Sequence, residues 1–371
     1  MHAGYVMSGA VSATSQSDTG WMSSLISDAA TVREKLVTLT GQASTGLVSS
    51  SYAGLGSGAA VSLDLNPELA NLQTWQANIN QATGPMQVTQ TAMTQLQSIA
   101  ASFYAQVNSL SSASASSVDT IAASAQAALQ QVAGLLDTTD GNTYVFGGAD
   151  STNPPVPEPD QILSSGFYTQ VNGEVGGLAG NGALATTAAT LATASSNAPG
   201  TSPFSSYMSQ PAATLQADTP VVQVGQGQTV QVGLLASANS AAVTSPPGST
   251  TGSYMRDLMR ALATIGSLTS SQASAGGFQG LVQDTSTSLQ GVVSAMADDA
   301  GVLGNTQAAL TATQTQMSDT ATALTAQVSG VQDVDMAQTL SNLTLVQTQM
   351  QASYQVIAGM SGLSLVEFLP T

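Results

Sequence analysis

The stretch MAQTLSNLTLVQTQMQASYQVIAGM, Met336 to Met360, decides the fold. Its apolar residues Met336, Leu340, Leu343, Met350, Tyr354, Ile357 and Met360 recur at steps of three, four or seven. That spacing gathers them on one side of an α-helix, and an apolar stripe in water needs a partner. A stripe of the same kind lies near the other end of the chain, at Leu25, Val32, Leu36 and Leu39. The sequence therefore predicts terminal helices that pair with each other or with copies of themselves in neighbouring subunits. We read Leu25, Val32, Leu36, Leu39, Met336, Leu340, Leu343, Met350, Tyr354 and Ile357 as an assembly seam.

Outward from these ends the chain remains helical. The first helix is expected from near Trp21 to about Thr40, loosened by Gly41 and Gly46, and Thr45 to Gly58 reads as a loop. Met1 to Gly20, polar and rich in small residues, is expected to be disordered in a free monomer. After Pro67, Leu69, Leu72, Ile79, Met86, Met93, Leu96, Ile99, Phe103, Val107 and Leu110 keep helical spacing, and Pro85 should kink or interrupt it. Val118 to Leu136 forms a second stretch, with Ile121, Ala125, Ala128, Val132 and Leu135 on one face. On the C-terminal side, helix is expected from Tyr254, again from about Gly277 to Gly330, and then in the final stretch.

Between the halves the chemistry changes. TTDGNTYVFGGADSTNPPVPEPD, Thr138 to Asp160, is turn chemistry throughout. Asp140-Gly141 is a turn dipeptide, Tyr144, Val145 and Phe146 read as a short strand, and Gly147-Gly148 with four prolines reads as a domain boundary. From about 160 to 250 the chain is rich in Gly, Thr, Ser and Val. VVQVGQGQTVQVGLL, Val221 to Leu235, reads as a β-hairpin turning at Gly225-Gln226-Gly227. The expected fold is mainly α: a long antiparallel helical bundle or coiled coil formed by the N- and C-terminal halves, with a small β-rich insertion domain in the middle. The expected segments are a coiled-coil polymer core at 1–45, a helical rod at 46–150, a variable insertion at 151–250, the returning rod at 251–330 and a second polymer-core segment at 331–371.

Composition excludes several functions. The chain carries 4 basic and 21 acidic residues, for a net charge of -17. Such a surface repels phosphate, so neither nucleic acid nor an anionic membrane is an expected partner. Cysteine is absent, which removes disulfides and thiolate metal sites. No apolar run approaches the ~18 residues of a membrane span, and Met1 to Gly20 has no cleavable secretory signal pattern. With one histidine, His2, and no cysteine, no nucleophilic triad can be built. Asp284, Asp298, Asp299, Asp333 and Asp335 lack the alternating oxygen ligands of a calcium loop and read as solvated helix faces. We expect no enzyme activity, no cofactor and no metal. Charged residues are only 7% of the chain, so the fold should tolerate acid, with the same circular dichroism at pH 4 as at pH 7.

Three segments carry a family resemblance. DGNTYVFGGADSTNPPV, Asp140 to Val156, resembles the entry to the variable domain of flagellar junction proteins and of some flagellins. SNLTLVQTQMQASYQVIAGMSGLSLVEFL, Ser341 to Leu369, resembles the C-terminal coiled-coil helix of the bacterial flagellin superfamily, and LVTLTGQASTGL, from Leu36, is similar to its N-terminal segment. Two positions depart from the pattern: Thr45-Gly46-Leu47 has no basic pair, and Tyr52 to Leu55 replaces an acidic patch. Within the superfamily the likeness is greatest to the hook-associated proteins of the hook–filament junction. The resemblance implies a subunit exported without a cleaved signal, guided by an export chaperone, and assembled outside the cell as a homo-oligomer. Its further partners would be flagellin and a neighbouring hook-associated protein. Filament flagellin is the alternative within the family, and a stalked extracellular adhesin with a binding head at 160–250 is the alternative outside it. Phe167, Tyr168, Phe204 and Tyr207 are the candidate aromatics of such a head.

Overall fold

The computed structural model describes residues 12–111, 114–239 and 249–366. The expectation for Met1 to Val11 and the end of the apolar tail lie outside the described residues. The chain divides into two compact units, one of Leu72–Ser318 and one of Met1–Asn71 with Asp319–Thr371.

The first unit is built on two long helices, α2 (Gly58–Leu110) and α8 (Phe278–Gln332). Within it Leu72, Ile79, Met86, Met93, Ala100 and Val107 are buried, each seven residues after the last. Val282, Leu289, Met296, Leu303 and Leu310 repeat the same step on α8. A seven-residue apolar period is the coiled-coil period. Side-chain bonds fix the antiparallel register: Gln314 donates to Asn80 (2.7 Å), Gln97 to the Met296 carbonyl (2.8 Å) and Ser286 to Asn108 (2.6 Å). Each advance along α2 is matched by a near-equal retreat along α8.

Beside this pair lie α3 (Ala115–Leu136), α4 (Gly166–Gly176), α5 (Leu178–Ser195), α6 (Ala212–Ala217) and α7 (Tyr254–Gly266). Every residue of α7 is buried, and it packs against α3, α4 and α5. Two small hairpins complete the unit. β1 (Thr139–Asp140) pairs with β2 (Thr143–Tyr144), and β3 (Val221–Gly225) pairs with β4 (Gln228–Gln231). Val224 of the second hairpin joins a buried cluster with Ile79, Met86, Leu303 and Leu310, and Asn78 donates to the Gln223 carbonyl (3.0 Å). The hairpin is thus seated on the coiled coil.

The second unit holds α1 (Ser12–Thr45), α9 (Met336–Val366), the start of α2 and the end of α8. α1 and α9 pack along each other. A short antiparallel bridge ties their near ends: the Val48 amide donates to the Gln332 carbonyl (2.7 Å), and the Val334 amide to the Gly46 carbonyl (2.9 Å). Asp335 caps α9 by accepting from the Gln338 amide (3.1 Å).

The mainly helical class, the antiparallel halves and the central hairpin agree with the sequence reading, and four details differ. α1 begins at Ser12, within the stretch expected to be disordered, and continues through Gly41. α2 begins at Gly58 and runs unbroken through both Pro67 and Pro85. A helical proline strips the donor from the carbonyl four residues back. Here those carbonyls belong to Leu63 and Gln81, two exposed residues of the helix. The predicted strand Tyr144 to Phe146 is shorter: Tyr144 ends β2, while Val145 and Phe146 turn inward and are buried. Finally, the insertion holds its hairpin but also the helices α4, α5 and α6, which the Gly- and Thr-rich sequence hides.

Candidate assembly interface

On α1 the partly buried positions Leu25, Ala29, Val32, Leu36, Leu39 and Ala43 follow a strict alternation of four and three, with Gln42 partly buried beside them. On α9 the facing positions are Thr339, Leu343, Val346, Met350, Ser353 and Ile357, with the same alternation. Both are coiled-coil stripes. Thus Leu25, Val32, Leu36, Leu39, Leu343, Met350 and Ile357 lie on the stripes. Met336, one heptad before Leu343, continues the stripe at the first residue of α9 but is 40% exposed there, whereas Leu340 and Tyr354, 49% and 51% exposed, stand off the stripe on its flank. Val346 was missed. A strict heptad count selects it over Leu340 and Tyr354, but the polar Thr339 and Ser353 at sister positions disguise the repeat.

The pairing leaves apolar surface uncovered. Leu345 and Val356 are exposed on the opposite flank of α9, and Ile26 and Val37 on α1. Between the helices a groove of about 660 Å³ opens, lined by Thr31, Lys35, Leu39, Leu345 and Val346 among others. Exposed aliphatics on both flanks of a two-helix pair mark a surface that other chains cover.

The turn at Asp140 to Gly148 is a junction inside the unit Leu72–Ser318. Gly141 takes φ 59°, as the turn between β1 and β2 requires. Gly148 takes φ 61°, and a Cβ there would lie 2.6 Å from Leu235 Cδ2. Phe146 is fully buried, and its carbonyl accepts from the Ala236 amide (3.1 Å). The turn therefore clasps the strand leaving the β3–β4 hairpin. Asp137 closes it from behind by accepting from the Val156 amide (2.8 Å). Burial pushes the Asp137 carboxyl up to about 6, opposed in part by that hydrogen bond.

α7 carries what the sequence reading left unassigned. Arg256 is buried without a carboxylate partner. It donates to the carbonyls of Ser237 (3.1 Å) and Ala194 (3.0 Å) and to Asn197 Oδ1 (2.7 Å), and lies 5.0 Å from the Phe204 ring centre. Burial lowers its pKa to about 10. Arg260 pairs with Asp257 at 3.7 Å and donates to Ser288 (2.7 Å). Burial raises Asp257 despite that cation, and raises Glu174 despite its bond from Thr193. Asp299, expected on a solvated face, is buried and accepts from Tyr254 (2.8 Å). These groups bind the insertion to the rod by hydrogen bonds that a sparsely apolar sequence could not supply. Phe167, Tyr168 and Phe204 are buried and Tyr207 is half-buried, so they build core rather than an exposed binding head. No cluster of metal-ligating side chains occurs among the described residues, and no helix there is long and apolar enough to cross a membrane.

The unit Leu72–Ser318 is built on an antiparallel helix pair, and the other unit carries the paired terminal helices α1 and α9 with exposed aliphatics on their flanks. Two family models match the chain: the bacterial flagellin N-terminal helical region over residues 16–150, and the bacterial flagellin C-terminal helical region over residues 287–369. Together they cover more than half of it, and the chain belongs to the flagellin superfamily. It is a structural subunit of the bacterial flagellum, from a non-enzymatic family whose members assemble into the extracellular axial structure. No individual curated protein matches the chain.

Proposed function

We propose that this subunit is the hook-associated protein of the hook–filament junction. The observation that carries the reading is the clasp formed by Tyr144-Val145-Phe146-Gly147-Gly148 on Leu235, which seats the segment that resembles junction proteins against the end of the Val221–Leu235 hairpin. The seam Leu25–Leu39 with Leu343–Ile357 and its apolar flanks supplies the contacts to further copies and to flagellin. Export proceeds without a cleaved signal, with an export chaperone shielding the terminal stripes before assembly. Filament flagellin is the second reading, favoured by the fact that both matched regions are those of flagellin itself.

Immunogold labelling on isolated flagella separates these. The junction role predicts one gold cluster where hook meets filament, and a deletion strain that releases flagellin into the medium. Label along the whole filament would replace it with the flagellin reading. Flagella without label would overturn both.

A further inference from the structure

Among the described residues the accessible positive charge is confined to α1. Of its four basic residues, Arg256 and Arg260 are buried in α7, while Arg33 and Lys35 are exposed. Neither of these two has an ion-pair partner among the described residues. Two positions apart, they leave α1 on opposite sides of its apolar stripe. Lys35 lines the groove together with Glu34, so its charge is locally balanced. Arg33 shares its side with Ile26 and Val37, 57% and 66% exposed, all three within about 40° of one another round the helix. An unpaired arginine between exposed aliphatics has the make-up of an interface anchor.

The same unit carries a matching face. Val61, Asp64 and Glu68 lie within about 60° of one another at the start of α2, and all are exposed. Neither carboxylate has a partner among the described residues. Of the other described acids of the unit, Asp333 accepts from Ser329, Asp335 caps α9, Asp319 stands alone on α8, and Asp18, Asp28 and Glu34 lie on α1 itself.

We propose that the Ile26–Arg33–Val37 face of one copy docks on the Val61–Asp64–Glu68 face of a second copy, with Arg33 bridging the two carboxylates. The proposal rests on the flagellar-subunit reading and names which surfaces mate within it. A guanidinium fork matches carboxylate geometry, and the flanking aliphatics exclude water from the pair. The two faces differ, so the contact is heterologous and repeats into a ring or a helical filament. Copies of net charge -17 repel at long range, and this fit sets the register in which they can approach.

The chain has no cysteine, which makes cross-linking clean. Flagella isolated from cells expressing Val37→Cys with Val61→Cys, treated with a short bis-maleimide, should yield dimers, trimers and larger chain-to-chain bands. Thr38→Cys with Val61→Cys, on the other flank, should stay monomeric. In parallel, Arg33→Glu should lower the amount of chain on flagella by about tenfold or more, because it sets like charges together. Adding Asp64→Arg to that chain should restore most of the loss. Absence of the unmodified chain from flagella would remove the flagellar reading itself. Its presence with only monomer bands, or unchanged incorporation of Arg33→Glu, would overturn the docking alone.

Discussion

The unit Leu72–Ser318 and the terminal pair α1/α9 use the same seven-residue repeat to different ends. In the first, Ile79, Met93, Val107, Leu289 and Met296 are fully out of water, and α7 is buried on every side. In the second, the stripe residues Leu25, Val32, Leu36, Leu39, Leu343, Met350 and Ile357 are only half covered, and Val346 is the buried aliphatic of the α9 stripe. Burial stabilises by roughly 25 cal/mol per Å² of apolar surface, so a half-covered stripe returns little against the entropy of ordering two helices. The comparison teaches that one unit is complete as a single chain and the other is completed by neighbours.

The comparison breaks most decisively by removing α9. Deletion of residues 341–371 should abolish incorporation into flagella and leave a soluble, partly helical monomer. The melting transition of the unit Leu72–Ser318 should persist in it. Loss of that transition would show the units to be one cooperative body. Next in size, Phe146→Ala should cost ~3–5 kcal/mol by opening a cavity under the turn. Arg256→Ala should cost ~3 kcal/mol by leaving the Ala194 and Ser237 carbonyls unpaired. Denaturant titration reads both, and in each case the loss falls on the unit Leu72–Ser318. Leu343→Asp inverts the pattern: the melt should barely move while incorporation falls about tenfold or more, since assembly would bury an unpaired charge.

The smallest effect is on pH dependence. Asp137 titrates at about 6 when folded and near 3.8 when unfolded. The folded state therefore holds its proton more tightly, and stability from this group is largest in acid and lost as pH rises from about 4 to 6. Glu174 and Asp257, also raised by burial, act in the same direction. The unit Leu72–Ser318 should melt no lower at pH 4.5 than at pH 7. Asp137→Asn keeps the acceptor for the Val156 amide and should add ~1 kcal/mol at pH 7, discounted for partial exposure, and nothing at pH 4. Early melting of the unmodified chain in acid would contradict this balance.

The sequence announced most of the scaffold because heptads of Leu, Met, Ile and Val are hard to hide. α3, α7, α8 and α9 lie within a few residues of their expected limits, and Asp140-Gly141 and Gly225 to Gly227 mark their hairpins. α4 and α5 were not visible because Gly173, Gly176, Gly180 and Gly182 interrupt any period. Their buried faces also rely on Thr186 and Thr190 as much as on Val171 and Leu178. Pro67 hides the start of α2 because propensity counts the missing amide, whereas the helix runs on through it with the residue four back, Leu63, exposed. The buried arginines and Asp299 could not be found from a sequence in which an isolated charge on a helix normally means solvent. In the seam, Leu340 and Tyr354 read with the stripe because steps of four and seven alone do not separate a stripe from its flank.

The central claim is that neighbours complete the terminal pair, and amide hydrogen exchange tests it most directly. Free monomer and isolated flagella should show equal, strong protection in α7 and in the unit Leu72–Ser318. In α1 and α9, exchange should be fast in the monomer and slow by orders of magnitude in flagella. Protection of α1 and α9 in the free monomer equal to that of α7 would contradict the account, since the pair would then be finished without a neighbour.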